Sequence, residues 1–598
     1  MKFRTWIVLL LVLSPLTAIA QPLADRVPDD AIIYLGWRGA DEPGPGYSDS
    51  RLKGLLDVSA LPQLSNDILP KLLDIMAAKD HNAAIFREML GKLGPAFWKY
   101  PTALYVGPVD GLNAFSPMPR IALMCKAGAG AAQLKKDINS YLDQLLTNAT
   151  VPITAIEEDG IVAITLGNVT PDLAGKTKTS LVNRKEFSAA MAQVGKEPLA
   201  VAYVDMEALT ALIDQVAAIA PQMAGKWQVI RETLGLGGLK RLVWTAGFET
   251  REFVTQGFVM APAPRTGLLQ LLDLPPLSDA ALKTVPESAT MVLSGNFDFA
   301  RLLTLARDLG GKVDPNVPNG INMGLGMGSM TLGINIETDL LQPLGNEWII
   351  YASPTVGGVG PLGIVLVNKT RDGAKLETAL TRLEGVANTG MQGDAPKNHS
   401  YGFGDKPHAK FVDAMIDGQK VHYLNTPFLS PAWTIKDGNL YVALYPQTAV
   451  AAANASTKTS ILNNENFVAI RKQLGGEKAS SIAFFDLPKS TPVGYPYMLA
   501  LSRVTGIIDM FGLPTPPAVL PSLEKLMPLM SPAGSVAWTD DTGVHTRSTT
   551  PFPGATMLSG PEALLVEGQA LIGPLMGLYQ ERQKAAMTPA TPAPAAQQ

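Results

Sequence analysis

The same landmarks occur twice along this chain in the same order, and repetition at that distance constrains a fold more than any local pattern does. Val27-Pro28-Asp29-Asp30-Ala31 opens a first stretch and leads into the apolar Ile32-Ile33-Tyr34-Leu35. Val285-Pro286-Glu287-Ser288-Ala289 opens a second and leads into Thr290-Met291-Val292-Leu293. Deeper in, Lys178-Thr179-Ser180-Leu181-Val182-Asn183 with Phe187 matches Lys458-Thr459-Ser460-Ile461-Leu462-Asn463 with Phe467. Ala202-Tyr203-Val204-Asp205 then matches Ala483-Phe484-Phe485-Asp486 at nearly the same separation. Leu93-Gly94 pairs with Leu344-Gly345, Asp159-Gly160 with Asp437-Gly438, and Val243-Trp244-Thr245 with Ala537-Trp538-Thr539. Preserved order with variable gaps is the pattern left by duplication and loop insertion, with copies running from Val27 to Leu272 and from Val285 to Leu558.

Within each copy, a short strand after the Val-Pro opening precedes a helical stretch (Leu55 to Leu93 in the first copy) and paired strands, Ala103–Val106 and Ile121–Cys125 in the first. A helix follows, with Leu134, Ile138, Leu142 and Leu145 on one face, or Leu376, Leu380 and Leu383 in the second copy. A hairpin through Asp-Gly, a helix after the Asn, the strand ending at Asp205 or Asp486, and a closing hairpin complete the unit. Hairpin-joined strands make antiparallel sheets. The expected class is therefore α+β: two tandem related modules, each a mostly antiparallel sheet with helices packed on one face. The expected organisation is a signal peptide over 1–20, a first module over 21–274, a short stiff linker over 275–284 carrying Pro275-Pro276, and a second module over 285–560. An amphipathic helix over 561–586, broken near Pro574, and a disordered Pro/Ala tail over 587–598 end the chain.

The ends bear on location. Lys2 and Arg4 precede the apolar run Trp6 to Leu13, then Pro15, then Ala18-Ile19-Ala20 before Gln21. That is the order of a secretory signal peptide with cleavage after Ala20, and its apolar core is far shorter than the roughly 20 residues needed to span a bilayer. No later stretch of spanning length lacks Pro, Gly or charge, so the expectation is a periplasmic or extracellular protein with no transmembrane span after cleavage. In 598 residues, 46% hydrophobic and 17% charged, the formal net charge is −4. This supports a large core and gives no basic footprint for nucleic acid. The one cysteine, Cys125, sits in the apolar run Ile121-Ala-Leu-Met-Cys and reads as a buried strand residue, not a nucleophile.

Three elements resemble an uncharacterised family of exported bacterial proteins, a domain of unknown function. They are the Val-Pro-x-x-Ala openings at Val27 and Val285; Asp339-Leu340-Leu341-x-x-Leu344-Gly345-x-Glu347; and Ser430-Pro431-Ala432-Trp433-Thr434-Ile435-x-Asp437-Gly438-x-Leu440. The first copy keeps only the Val-Pro element and has Glu157-Glu158 before its Asp-Gly turn. The resemblance implies the fold and export, and carries no activity.

Chemistry-bearing patterns are sparse. The five histidines, His81, His399, His408, His422 and His545, show no i, i+4 pair and no His-Glu-x-x-His motif. His399 and His408 fall in the polar extension Asn388 to Lys410, which the first copy lacks; a solvated loop is the simplest reading. There is no Gly-x-Ser-x-Gly elbow. Gly324-Leu-Gly326-Met-Gly328-Ser329 lacks the Lys-Ser/Thr of a phosphate loop and reads as a loop entering a strand at Met330. Asp205 and Asp486 end apolar strands just before helical segments and read as helix caps. Ser180 and Ser460 read as turn or cap residues. No catalytic, cofactor-binding or metal-binding residue is assigned. The expectation is a non-enzymatic binding or interaction module of the cell envelope, holding an envelope protein or an apolar ligand. An extracytoplasmic hydrolase with a dispersed active site and an envelope scaffold protein are the alternatives.

Overall fold

In the computed structural model the described residues are 21–62, 81–112, 117–145, 152–175, 179–219, 221–393, 409–455, 459–504 and 520–561. The expected signal peptide, C-terminal helix and tail, with His399 and His408, lie outside them. The strands are β1 (Ile33–Trp37), β2 (Thr102–Asp110), β3 (Met118–Cys125), β4 (Ile153–Glu158), β5 (Ile161–Leu166), β6 (Ala200–Asp205), β7 (Arg241–Glu249), β8 (Glu252–Met260) and β9 (Met291–Asn296). The rest are β10 (Glu347–Ala352), β11 (Ile364–Lys369), β12 (Lys410–Ile416), β13 (Gln419–Asn425), β14 (Ala432–Lys436), β15 (Asn439–Ala443), β16 (Ser481–Phe485), β17 (Ala533–Thr539) and β18 (Gly543–Thr550). All pairings are antiparallel, and they run across one sheet as 4-5-3-2-1-6-7-8-18-17-16-9-10-11-15-14-13-12.

The protein is α+β, but the expectation of a separate sheet in each module is corrected. Among the described residues there is one 18-stranded sheet. β8 pairs with β18 from Met260↔Gly543 to Phe253↔Thr550. Thr255 and Ser548 hydroxyls meet across the seam at 2.6 Å, and Arg547 reaches Glu249 at 2.6 Å. An edge strand exposes unpaired N–H and C=O groups, and this pairing removes two such edges at once. The segment 275–284, expected as a linker, is packed into the fold. Leu277 and Leu282 are buried, the Leu277 N–H donates to the Ala479 carbonyl, and Ser278 caps the short helix Asp279–Leu282.

Landmarks read separately in the sequence meet in space. Pro28 bridges Ser180, and Pro286 bridges Ser460. The Leu181 N–H donates to the Val27 carbonyl and the Ile461 N–H to the Val285 carbonyl, both at 2.8 Å. Arg184 donates to the Asp29 carbonyl and Asn464 to the Glu287 carbonyl. Phe187 stands edge-on to Tyr203 at 5.0 Å, and Phe467 to Phe484 at 5.4 Å. The Asp-Gly turns close two-residue hairpins, with Asp159 and Gly160 at φ 52° and 71° and Asp437 and Gly438 at 50° and 74°. Positive φ at both central residues is what a type I′ turn requires, and Asp followed by Gly tolerates it. A third such turn, Asp417-Gly418, joins β12 to β13, which extend the sheet at the C-terminal edge.

Helices cover both faces of the sheet, not one. On the first face, Phe187 in the helix Lys185–Met191 and Phe467 in Glu465–Gln473 seal cores containing Tyr34, Tyr105 and Tyr203, and Tyr351, Tyr441 and Phe484. On the second face, the helix Ala131–Leu145 lies on Cys125 and Val162, and Leu376 of the helix Gly373–Gly393 lies on Trp433 and Leu440. Leu487, Tyr495 and Met498 of the helix Leu487–Val504 gather with Met291 and Phe485 there.

Three local readings fail. Gly324 to Ser329 is not a loop entering a strand but the interior of the helix Val317–Leu332, whose start is eased by Pro at its first turn. Leu93-Gly94 lies inside the helix His81–Lys99, whereas Gly345 is irregular backbone held by both amide ends of the Asn368 side chain. Trp244 and Trp538 do not correspond. Tyr203 pairs with Val243 and Phe484 with Gly534, so Trp244 takes the register place of Ser535. A shift of three residues in a strand puts the two indoles on opposite faces.

Candidate functional site

An apolar row crosses the second face of the sheet at β2, β1, β6 and β7. Leu104 pairs with Leu35, Leu35 with Ala202, and Ala202 with Trp244. Alternation in β1 directs Tyr34 into the core and leaves Leu35 and Trp37 on the other side. Leu35 is 42% exposed and Trp244 45%. Neighbouring strands lie about 4.8 Å apart, which sets Leu35 and Trp244 roughly 10 Å apart across Ala202. Trp37 extends the surface by stacking on Trp98, with ring centroids 4.7 Å apart, and its indole N–H donates to the Trp98 carbonyl at 2.7 Å. Trp98 itself is 64% exposed. Water-exposed apolar area costs about 25 cal/mol per Å² relative to burial, and contiguous patches of this kind mark interaction surfaces.

The row at the same topological place in the C-terminal strands is Ile350, Leu293, Ala483 and Ser535. There Leu293 and Ala483 pack against the cluster of Met291, Phe485, Leu487, Leu526 and Met530. Ile350 at the end of this row is 36% exposed. Among the described residues, then, this row is covered at Leu293 and Ala483, whereas the first is open at Leu35 and Trp244.

The acids singled out by repetition are structural. Asp205 is fully buried; it accepts from the Ala208 N–H at 3.0 Å, capping the helix Met206–Ile219, and from Arg184 at 2.6 Å, with Arg241 at 3.3 Å. Arg241 in turn pairs with Glu207, and hydrogen bonds from Lys240 and Arg241 hold that carboxyl below its usual range. Burial, with the Asp205 charge, pushes the Tyr203 phenol up to about 12 against the opposing pull of Arg241 and Arg184. Asp486 is equally buried but binds Asn466 at 3.0 Å and Lys489 at 3.0 Å, and its side chain does not cap. Ser460 and Asn463 form a reciprocal capping box, while Asn183 donates to the Ser180 hydroxyl at 2.8 Å. Cys125 is fully buried, and desolvation pushes its thiol up to about 11.

His422 and His545 are both buried and each faces a carboxylate. His422 Nδ1 lies 2.9 Å from Glu384, whose other oxygen accepts from the Trp433 indole at 2.9 Å, and the imidazole stacks on that indole at 4.1 Å. His545 Nε2 lies 3.0 Å from Asp540 and is sandwiched by Trp538 at 4.9 Å and Phe258 at 4.6 Å. Burial opposes the Asp540 charge, but donors from Thr542 and Gly543 and the His545 charge outweigh it and lower its pKa. No serine, threonine or cysteine among the described residues hydrogen-bonds either ring. His81 begins the helix His81–Lys99. Among the described residues no group of three or more His, Cys, Asp or Glu is placed to hold a metal ion, and no helix is long and apolar enough to cross a membrane.

The family described as "Protein of unknown function (DUF3352)" matches residues 172–501, more than half of the chain. The chain belongs to that family. Its matched region runs from before β6 to the helix Leu487–Val504, so it takes in one side of the open row (β6 and β7) and nearly all of the roofed one. No curated protein and no solved structure matches the chain. Sequence reading passed over Leu35, Trp37, Trp98 and Trp244. The signal was present: in Tyr34-Leu35-Gly36-Trp37, large apolar residues point to both sides of the strand, so one face needs a cover.

Proposed function

We propose that the protein is an exported, non-enzymatic interaction module of the cell envelope that holds an apolar segment of a partner protein on the open row of β1, β2, β6 and β7. It consists of two related α+β modules fused through one sheet. The duplication is supported by matched connections: β1 lies between β2 and β6 as β9 lies between β10 and β16, and each Val-Pro opening bridges its own Lys-Thr-Ser segment. Export is supported by Lys2, Arg4, the run Trp6 to Leu13 and Ala18-Ile19-Ala20.

The observation that carries the binding reading is the contrast between the two rows. The module sheet is built to take a cover on its second face, and in the C-terminal strands the chain supplies it. Small ligands are mostly enclosed by their sites, whereas Leu35, Trp98 and Trp244 form an open surface with the aromatic content of protein interfaces. The test is capture from an envelope fraction by the purified chain and by Leu35→Lys/Trp244→Lys. Loss of the captured protein with an unchanged unfolding midpoint is expected; equal capture by both contradicts the reading.

A further inference from the structure

The helix Val317–Leu332 presents an unusual surface. It contains no Asp, Glu, Lys or Arg, no residue in it is buried, and four of its sixteen residues are glycine. Surface helices ordinarily turn charged side chains to water, and each exposed glycine costs about 1 kcal/mol of helix stability relative to alanine. The long side chains that this helix does send outward are methionines. Met323 and Met327 are each 66% exposed and Met330 is 86% exposed, the last among the most exposed large apolar residues of the protein.

Their spacing places them together. At about 100° and 1.5 Å per residue, Met323, Met327 and Met330 fall within an arc of roughly 60°, at heights of about 0, 6 and 10.5 Å along the axis. Met327 is central, and the outer two are unbranched side chains with three rotatable bonds that can bend toward it. Among the described residues nothing stands within 4 Å of where a β-carbon would be at Gly320, Gly324 or Gly326, whereas Gly328, on the other side of the helix, faces Ile336. Thioethers are neutral, soft donors that select Cu(I) over the harder divalent metals. Met330 lies in the last turn, before the left-handed Gly333 cap, where the negative end of the helix dipole favours a cation.

We propose that Met323, Met327 and Met330 form a three-thioether site for a soft monovalent cation, Cu(I) or its analogue Ag(I). The site is distinct from the open sheet row and does not depend on it. The test is anaerobic titration of the full chain with Cu(I) against a chromophoric Cu(I) chelator, repeated with Ag(I). One equivalent withheld from the chelator is expected. Met323→Leu/Met327→Leu/Met330→Leu keeps side-chain volume and should keep the circular dichroism spectrum while weakening binding by about a hundredfold or more, the scale on which metal-site changes act. Met327→Leu alone should weaken binding more than either outer substitution. Thioethers do not titrate, so affinity should be flat from pH 7 to pH 5, and Cys125→Ala should leave it unchanged. No copper withheld, undiminished binding by the triple variant, loss on acidification, or loss with Cys125→Ala would each overturn the proposal.

Discussion

Asp205 and Asp486 follow the similar strand segments Ala202-Tyr203-Val204 and Ala483-Phe484-Phe485, yet their surroundings predict different energetic roles. Asp205→Ala removes the acceptor for the Ala208 N–H and both arginine contacts. Arg184 can turn to water, since its side chain is 24% exposed, but Arg241 is 5% exposed and keeps only Glu207 and a carbonyl. Breaking one side of a buried ion pair costs about 3–5 kcal/mol. The lost cap, worth about 1 kcal/mol alone, overlaps with that figure because the groups share one network. Asp486→Ala releases Lys489, which is 57% exposed and loses almost nothing in water. It also leaves the Asn466 amide without its acceptor, which costs about 1–2 kcal/mol. Urea unfolding followed by tryptophan fluorescence should therefore show a drop for Asp205→Ala at least about twice that for Asp486→Ala. Hydrogen exchange should show loosening of the first turn of Met206–Ile219 in the first variant. Equal losses, or a cost under about 1 kcal/mol for Asp205→Ala, would refute the assignment of Asp205 as the hub of a buried charge network.

Cys125, with its thiol pushed up to about 11, should be thiolate in only about one molecule in a thousand at pH 8; a thiol reagent should label it in urea and barely at all in the native protein. The lowered pKa of Asp540 adds stability that is fully present above its unfolded value of about 3.9 and is lost as pH falls through the lower folded value. The melting temperature of Asp540→Asn should accordingly depend less on pH below about 4 than that of wild type. Thr250 is a β-branched residue at φ 56° in the β7–β8 hairpin, so Thr250→Asn should raise stability by up to about 1 kcal/mol in thermal unfolding. Phe187→Ala and Phe467→Ala, each emptying one core against Tyr203 or Phe484, should each cost about 3–5 kcal/mol by urea titration.

The sequence was most informative where structure is local. Asp-Gly favours positive φ, so the turns at Asp159 and Asp437 follow from residue type alone, and Ser180 and Ser460 read as turn or cap residues, with Asn463 completing the box at Ser460 only in the structure. The repeated Val-Pro and Lys-Thr-Ser elements were legible as landmarks, and their contact explains why they recur together: each bridges the other. What could not be read was partner choice over long separations. Nothing in Gly543–Thr550 specifies Phe253–Met260 as its neighbour, because a half-exposed alternating strand fits many edges. The same limit hid Glu384 as the partner of His422. Glycine misleads at Gly324 to Gly328, where a turn-like composition lies inside a helix, with only Gly328 of these glycines close to a neighbour, Ile336. Trp244 was matched by its neighbours in sequence to Trp538, and only strand register separates the faces they occupy. That mismatch conceals the open row, since Trp244 exposed beside Leu35 has Ser535 as its register counterpart in the C-terminal strands.

The open row is the centre of this account, and site-specific photo-crosslinking tests it most directly. A photoreactive residue is placed at position 244 or, as its roofed counterpart, at position 535, and the full chain is irradiated in an envelope preparation. A discrete protein adduct from position 244 that Leu35→Lys abolishes is expected, and none from position 535. Adducts from neither position, or equally from both, would contradict it.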